Sequence, residues 1–183
     1  MKYCYSTKNR EWKLNPKADW NGISMRYEFT VAGRSDSNYA TYKNTRKSIT
    51  GYYVTLEGAV VAVKSGMQRI IALSVCEAEV IAMVQCAQEM MYLKKLLTSM
   101  NLKVAQPMIL EVDNKGAVDL ANGWSIGGGT KHMDVRIMFL RELKEQGTLL
   151  VKWISTQDNA ADIFTKNVDP NTFEKHVRVF CDE

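Results

Sequence analysis

Apolar and polar positions alternate over the first half of the chain and then change to a helical period. Glu28 to Ser35 predicts a strand ending at Asp36, followed by a polar loop through Arg46. Ile49 to Leu56 is rich in β-branched and aromatic residues, the side chains that strands favour. Glu57-Gly58 predicts a tight turn, and Ala59 to Lys64 returns as the second arm of a hairpin. Ser65-Gly66 predicts a break, and Arg69 to Leu73 a further strand. From Cys76 to about Met100 there is no Gly or Pro. Ala78, Ala82, Cys86, Met90, Leu93 and Leu97 recur there at helical spacing. Ser74, three residues before Glu77, fits an N-cap with a capping box, and Asn101 suits the helix end. Beyond Pro107, Met108 to Val112 predicts a short strand ending at Asp113. Asn114 to Asn122 predicts a short helix, Gly127-Gly128-Gly129 a loop, and Lys131 to Gln146 a helix closed by Gly147. Leu149 to Ile154 predicts a strand and Asp158 to Lys166 a helix. The tail from Pro170 adds a helical piece. Strands in a meander, then helix, strand, two helices, strand and helix, make an α/β pattern with a mixed sheet. Residues 1–27, with Trp12, Pro16 and Trp20 among polar neighbours, show no period and read as a connecting segment.

Composition adds limits. Hydrophobic content of 46% and charged content of 24% suit a soluble globular domain. No apolar run approaches the roughly 18 residues of a membrane span, and Met1 to Arg10 lacks a signal core. The net charge of +4 permits a polyanionic partner without naming one. The cysteines Cys4, Cys76, Cys86 and Cys181 form no C-x-x-C pair, and His132 and His176 are the two histidines. That set argues against structural zinc and for reduced thiols in an intracellular protein.

Candidate chemistry lies where strands stop and helices start, the usual place for ligands in open α/β sheets. Four acids fall there: Asp36, Glu79, Asp113 and Asp162. Converging on one sheet edge, they would repel one another unless cations sat between them, and hard oxygen donors suit Mg²⁺ or Mn²⁺. Each acid alone also has an ordinary reading. Asp36 suits a turn, Glu79 the positive end of a helix, Asp113 a cap, and Asp162 a solvated first turn.

Six segments in order carry a resemblance. Gly33–Ala40 (GRSDSNYA), Arg46–Tyr52 (RKSITGY), Ala72–Glu79 (ALSVCEAE), Val112–Ala117 (VDNKGA), Lys131–Arg136 (KHMDVR) and Ala161–Lys166 (ADIFTK) resemble segments of the ribonuclease H domains of copia-type retrotransposon polyproteins. The resemblance implies a ribonuclease H-like fold, a five-stranded mixed sheet flanked by helices, over residues 28–167. It makes residues 1–27 the connection from an upstream reverse transcriptase and leaves 168–183 as a C-terminal tail. It implies an endonuclease that cuts the RNA strand of RNA–DNA hybrids with two Mg²⁺ or Mn²⁺ ions, leaving 5′-phosphate and 3′-hydroxyl ends. Asp36, Glu79, Asp113 and Asp162 then form the metal-binding set, with Asp36 bridging both ions, Glu79 and Asp113 on the leaving-group side and Asp162 on the nucleophile side. Glu79 rather than Glu77 fits the motif, because Val80-Ile81-Ala82 come directly after it; Glu77 keeps the capping role.

Ser37, Asn38, Ser74 and Asn114 lie beside the acids as candidate contacts to a hybrid's grooves and 2′-hydroxyls. Arg46 and Lys47, with Lys43 and Lys115, are candidate phosphate contacts. The expected partners are the hybrid and the reverse transcriptase of the same polyprotein, in cytoplasmic retroelement particles and away from membranes. The segment departs from the family at Asn38 and Tyr39. Ser155 to Asn159 lacks the histidine that cellular ribonucleases H carry before the last acid, and His132 reads as structural. Three other readings stay open: a non-catalytic hybrid-binding module, a truncated relic, and an integrase-type polynucleotidyl transferase.

Overall fold

The computed structural model describes residues 10–12, 14, 27–123 and 131–181, with backbone alone at 131 and 132. The expected Gly127–Gly129 loop, most of the 1–27 segment and the His132 side chain lie outside the described residues. Among the described residues there are seven strands. They are β1 (Glu28–Phe29), β2 (Val31–Asn38), β3 (Ile49–Leu56), β4 (Ala59–Met67), β5 (Lys103–Val104), β6 (Met108–Val112) and β7 (Leu149–Trp153). The helices are α1 (Val75–Ser99), α2 (Lys115–Asn122), α3 (Lys131–Glu145) and α4 (Pro170–Val177).

The main sheet has the order β4-β3-β2-β6-β7. The β2–β3 and β3–β4 pairs are antiparallel, and β2–β6 and β6–β7 are parallel. A mixed sheet needs a cover on each face wherever parallel strands lie. One cover is α1 with α2 and α3, over a core that includes Val31, Val54, Val80, Met83, Met90, Leu110, Leu140 and Leu149. The other is smaller: Tyr53, Val60, Ala160, Ala161 and Phe180 pack beneath the sheet. The side chains of β3 divide between the two, Tyr52 and Val54 upward and Tyr53 downward, as a period of two requires. The tail is therefore built into the lower layer, with Phe180 edge-on to Tyr53 and to Phe164 at 5.0 and 5.1 Å between ring centroids.

Local chemistry explains the helix ends. Ser74 accepts the Glu77 N–H at 3.1 Å, and the Glu77 carboxylate accepts the Leu73 N–H at 2.7 Å. At its far end α1 stops where Asn101 turns left-handed, with φ of 62°. Asn114 caps α2 and Asp169 caps α4.

Five expectations are corrected. β2 does not end at Asp36; Ser37 and Asn38 continue the ladder opposite Thr50 and Ile49. Ser65-Gly66 does not break β4, because both residues stay paired with β3 and the Ser65 hydroxyl donates to the Phe164 carbonyl at 2.5 Å. Arg69 to Leu73 is not a strand. Gln68 turns inward to donate to Thr50 Oγ1 and the Ala78 carbonyl, both at 3.0 Å. The chain then leaves the sheet at its edge, where no neighbouring strand offers a ladder. Asp158 to Lys166 forms two 3-10 turns, Thr156–Asp158 and Ala160–Phe164, instead of an α-helix. The expected strand from Glu28 is interrupted at Thr30, and its first two residues pair with Lys103–Val104, which no periodic signal announces. Among the described residues no helix is long and apolar enough to cross a membrane.

Candidate active site

Asp36 sits on the central strand, facing the lower layer, and its backbone pairs with Gly51. A Cβ at Gly51 would stand 2.6 Å from Thr165 Cγ2 and 2.8 Å from Phe164 Cβ. Glycine there lets the second 3-10 turn press against the strand, and Thr165 donates its hydroxyl hydrogen to Asp36 Oδ2. Asn159 anchors the same turn. It is fully buried, donates to the Ser35 carbonyl at 3.0 Å and accepts the Ala161 N–H at 3.2 Å. Those bonds hold Asp162, itself buried, beside Asp36.

Glu79 arrives from the other side, in the second turn of α1. Ser37, facing α1, donates to its Oε1 from both the backbone N–H at 3.2 Å and the hydroxyl at 2.9 Å. Oε2 is buried without a partner. Glu77, two residues away, spends its carboxylate on the helix cap. Asp113 comes directly after β6, and the cap of α2 is Asn114, which accepts the Ala117 N–H at 3.0 Å. The capping alternative for Asp113 is thereby excluded. Its carbonyl accepts the Trp153 indole N–H at 3.0 Å, and the Lys115 ammonium stacks over that indole at 4.7 Å.

Ligand oxygens of Asp36, Glu79 and Asp113 all lie within 4.8 Å of one another. Asp162 joins through Lys166, whose Nζ is 2.9 Å from Asp162 Oδ1 and 3.8 Å from Asp36 Oδ2. Lys166 and Thr165 belong to the Ala161–Lys166 segment, and sequence reasoning missed their roles. The available signal was the i, i+4 spacing of Lys166 from Asp162.

Electrostatics reflect this crowding. Burial pushes the Asp36 carboxyl up to about 7, against the pull of Lys166 and the Thr165 hydrogen bond, with Asp162 and Asp113 adding repulsion. Burial and the Asp36 charge raise Glu79 well above the carboxylate range despite the two Ser37 bonds. Asp162 is raised by burial, with Lys166 opposing. Burial works against the charge on Lys166, but Asp36 and Asp162 outweigh it and hold its pKa above the ordinary value. Buried carboxylates held at this spacing, one with an unpartnered oxygen, fit hard divalent cations in chemistry and charge.

The candidate nucleic-acid contacts fall around this cluster, partly committed elsewhere. Ser37 serves Glu79, Ser74 and Asn114 serve caps, and the Asn38 amide donates to the Thr165 carbonyl at 3.2 Å. Arg46 and Lys47 lie on the β2–β3 loop, which leaves the sheet at the same end as Asp36; Arg46 is exposed.

No family model matches the chain. It is 37% identical over 144 residues, 79% of its length, to the retrovirus-related Pol polyprotein from transposon TNT 1-94 of Nicotiana tabacum. Over 140 residues, 76% of its length, it is 29% identical to that from transposon RE1 of Arabidopsis thaliana. It spans 11% and 10% of these relatives' lengths. Among solved structures it is similar to the N-terminal RNase H domain of rv2228c from Mycobacterium tuberculosis. The TM-score is 0.58 at 14% identity, over 82% of this chain and 98% of that one. It is also similar to LC11-RNase H1 in complex with an RNA/DNA hybrid, with TM-score 0.57 at 16% identity, over 74% and 94%. At these identities the likeness establishes the fold.

Proposed function

We propose that this chain, a ribonuclease H domain of a retrotransposon Pol polyprotein, cleaves the RNA strand of RNA–DNA hybrids at the carboxylate cluster. One observation carries the reading: oxygens of Asp36, Glu79 and Asp113 meet within 4.8 Å, where Glu79 Oε2 is buried and unpartnered. Three ionised carboxylates so placed repel one another unless cations lie between them, and crowding of this kind is a pattern that functional sites share.

Asp36, Glu79, Asp113 and Asp162 are the residues that would hold two Mg²⁺ or Mn²⁺ ions. Bound divalent ions supply Lewis acidity and a water of lowered pKa, the means of phosphodiester hydrolysis without a covalent intermediate. The protein's share is positioning. Ser37 fixes the Glu79 carboxylate on the strand, Thr165 fixes Asp36, and Asn159 fixes the turn that carries Asp162. Central placement between Glu79 and Asp162 suits Asp36 to serve both ions. The expected products carry 5′-phosphate and 3′-hydroxyl ends. Arg46 and Lys47 on the adjoining loop, with Lys43, supply charge for backbone phosphates. Asn38, Ser74 and Asn114 offer polar edges toward a minor groove and its 2′-hydroxyls. The hybrid bound in the LC11 structure supports the same ligand class here. The reverse transcriptase of the same polyprotein is the expected partner, in cytoplasmic retroelement particles.

The test is direct. Purified chain with Mg²⁺ or Mn²⁺ should release short fragments from a labelled RNA–DNA hybrid and leave the DNA strand intact. Asp113→Asn should reduce the rate at least about a hundredfold with an unchanged melting temperature. Undiminished cleavage by that variant would sink the assignment. Tight hybrid binding with no metal-dependent cut would favour the non-catalytic reading.

A further inference from the structure

Lys166 is the one cation with its charge inside the carboxylate cluster among the described residues. Its ammonium lies 2.9 Å from Asp162 Oδ1 and 3.8 Å from Asp36 Oδ2. The cluster therefore has two unlike halves. In one, ligand oxygens of Asp36, Glu79 and Asp113 converge within 4.8 Å of one another. In the other, Asp36 and Asp162 already share a charge. We propose that the Lys166 ammonium is a built-in cation that holds the Asp36–Asp162 half and must give way before a second divalent ion can enter.

The inference rests on the metal-dependent function proposed for this site and adds an order of events to it. Charge counting supports it. Four ionised carboxylates carry four negative charges; Lys166 and one divalent ion leave a single negative charge uncompensated. A second divalent ion beside the ammonium would leave the protein site net positive, with two like-charged groups against the same carboxylate oxygens. Departure of the ammonium restores neutrality. The side chain is free to leave, since it is about a third exposed, with 35% side-chain accessibility. Its four-carbon stem can carry the charge into water at little cost. Thr165 continues to hold Asp36 when Lys166 swings out, so the carboxylate keeps its place. A nucleic-acid phosphate arriving at the cluster gives the displaced ammonium a new partner. While the ammonium stays in place, the protein would hold one ion.

The test counts ions without measuring cleavage. Mn²⁺ is titrated into the protein in the absence of nucleic acid, and free ion is followed by its paramagnetic resonance signal. Wild type and Lys166→Arg should bind one ion tightly. Lys166→Met should bind a second ion at least about tenfold more tightly than wild type does. Lys166→Gln, whose amide can still donate to Asp162, makes the same comparison should the methionine variant fold poorly. Identical isotherms for wild type and the neutral variants, with one ion bound, overturn the role of Lys166 and leave the metal-dependent function standing. No bound Mn²⁺ in any of the proteins overturns both.

Discussion

The hydroxyl of Thr165 is a small group with a large lever, because it donates to the carboxylate that every other acid in the cluster surrounds. A hydrogen bond to the charged form lowers a pKa, and its removal lets burial act unopposed. Thr165→Val should therefore raise Asp36 further. The acid limb of the pH–rate profile should move to higher pH, with little change in melting temperature; an unmoved limb would contradict the role. Ser37 is the matching case across the sheet. Its backbone N–H survives substitution, so Ser37→Ala should remove one of two bonds to Glu79 and cost about 1 kcal/mol. At this scale the sequence was half legible. The acids stand in motifs, and Glu77 and Glu79 are separable by the Val80-Ile81-Ala82 run beside the second of them. Thr165 and Asn159 gain their meaning only from the partners a fold brings, which lie more than a hundred residues away in the chain, whereas Lys166 carries a local signal in its i, i+4 spacing from Asp162.

Elements with a strong local signal match their expected form. α1 has a capped start and an unbroken helical period, and the β3–β4 hairpin has a two-residue turn between β-branched runs. Elements that depend on a neighbour do not. Arg69 to Leu73 has strand composition but lies beyond the sheet's edge, so Ile71 and Leu73 stay exposed, at 51% and 71%. Ala160–Phe164 has helical composition, but Asn159 and the close approach to Gly51 hold it as a 3-10 turn. Gly51→Ala tests that approach. The added methyl must push the Thr165–Phe164 turn outward, and with it Asp162. Cleavage should fall more than tenfold while the melting temperature drops by only a few degrees. Leu110, fully buried on β6 under the helical layer, should behave in the opposite way. Leu110→Ala should cost about 2–5 kcal/mol in denaturant unfolding and reduce activity only as the folded fraction falls.

The whole molecule couples its carboxylate cluster to its stability. Asp36 is raised to about 7, and Glu79 and Asp162 are raised with it. The folded state thus keeps protons that the unfolded chain releases above about pH 4. Stability is full below that pH and is lost as pH rises through the folded-state value near 7. The melting temperature of metal-free protein should fall from pH 5 to pH 8, and Mg²⁺ should restore more of it at pH 8 than at pH 5. A flat profile would contradict the shifts. Arg10 and Trp12 of the leading segment also meet the tail. Trp12 bridges Cys181 and donates to the Val60 carbonyl at 3.1 Å, and Arg10 pairs with Glu174 at 2.7 Å. Two stretches that the sequence pattern sets apart from the domain thus meet on β4. That strand is the sheet's margin, and Val61, Val63 and Met67 on it are 44%, 43% and 49% exposed. Among the described residues no strand pairs with its outer side, and beyond the Val60 carbonyl taken by Trp12 that side offers a template on which another extended chain can lie. Purified alone at high concentration, the domain should scatter light increasingly with time, and Val63→Lys should keep it clear. The tendency to stick would then belong to the rim of the sheet, and solubility could be engineered at Val63 without replacing any of the four carboxylates.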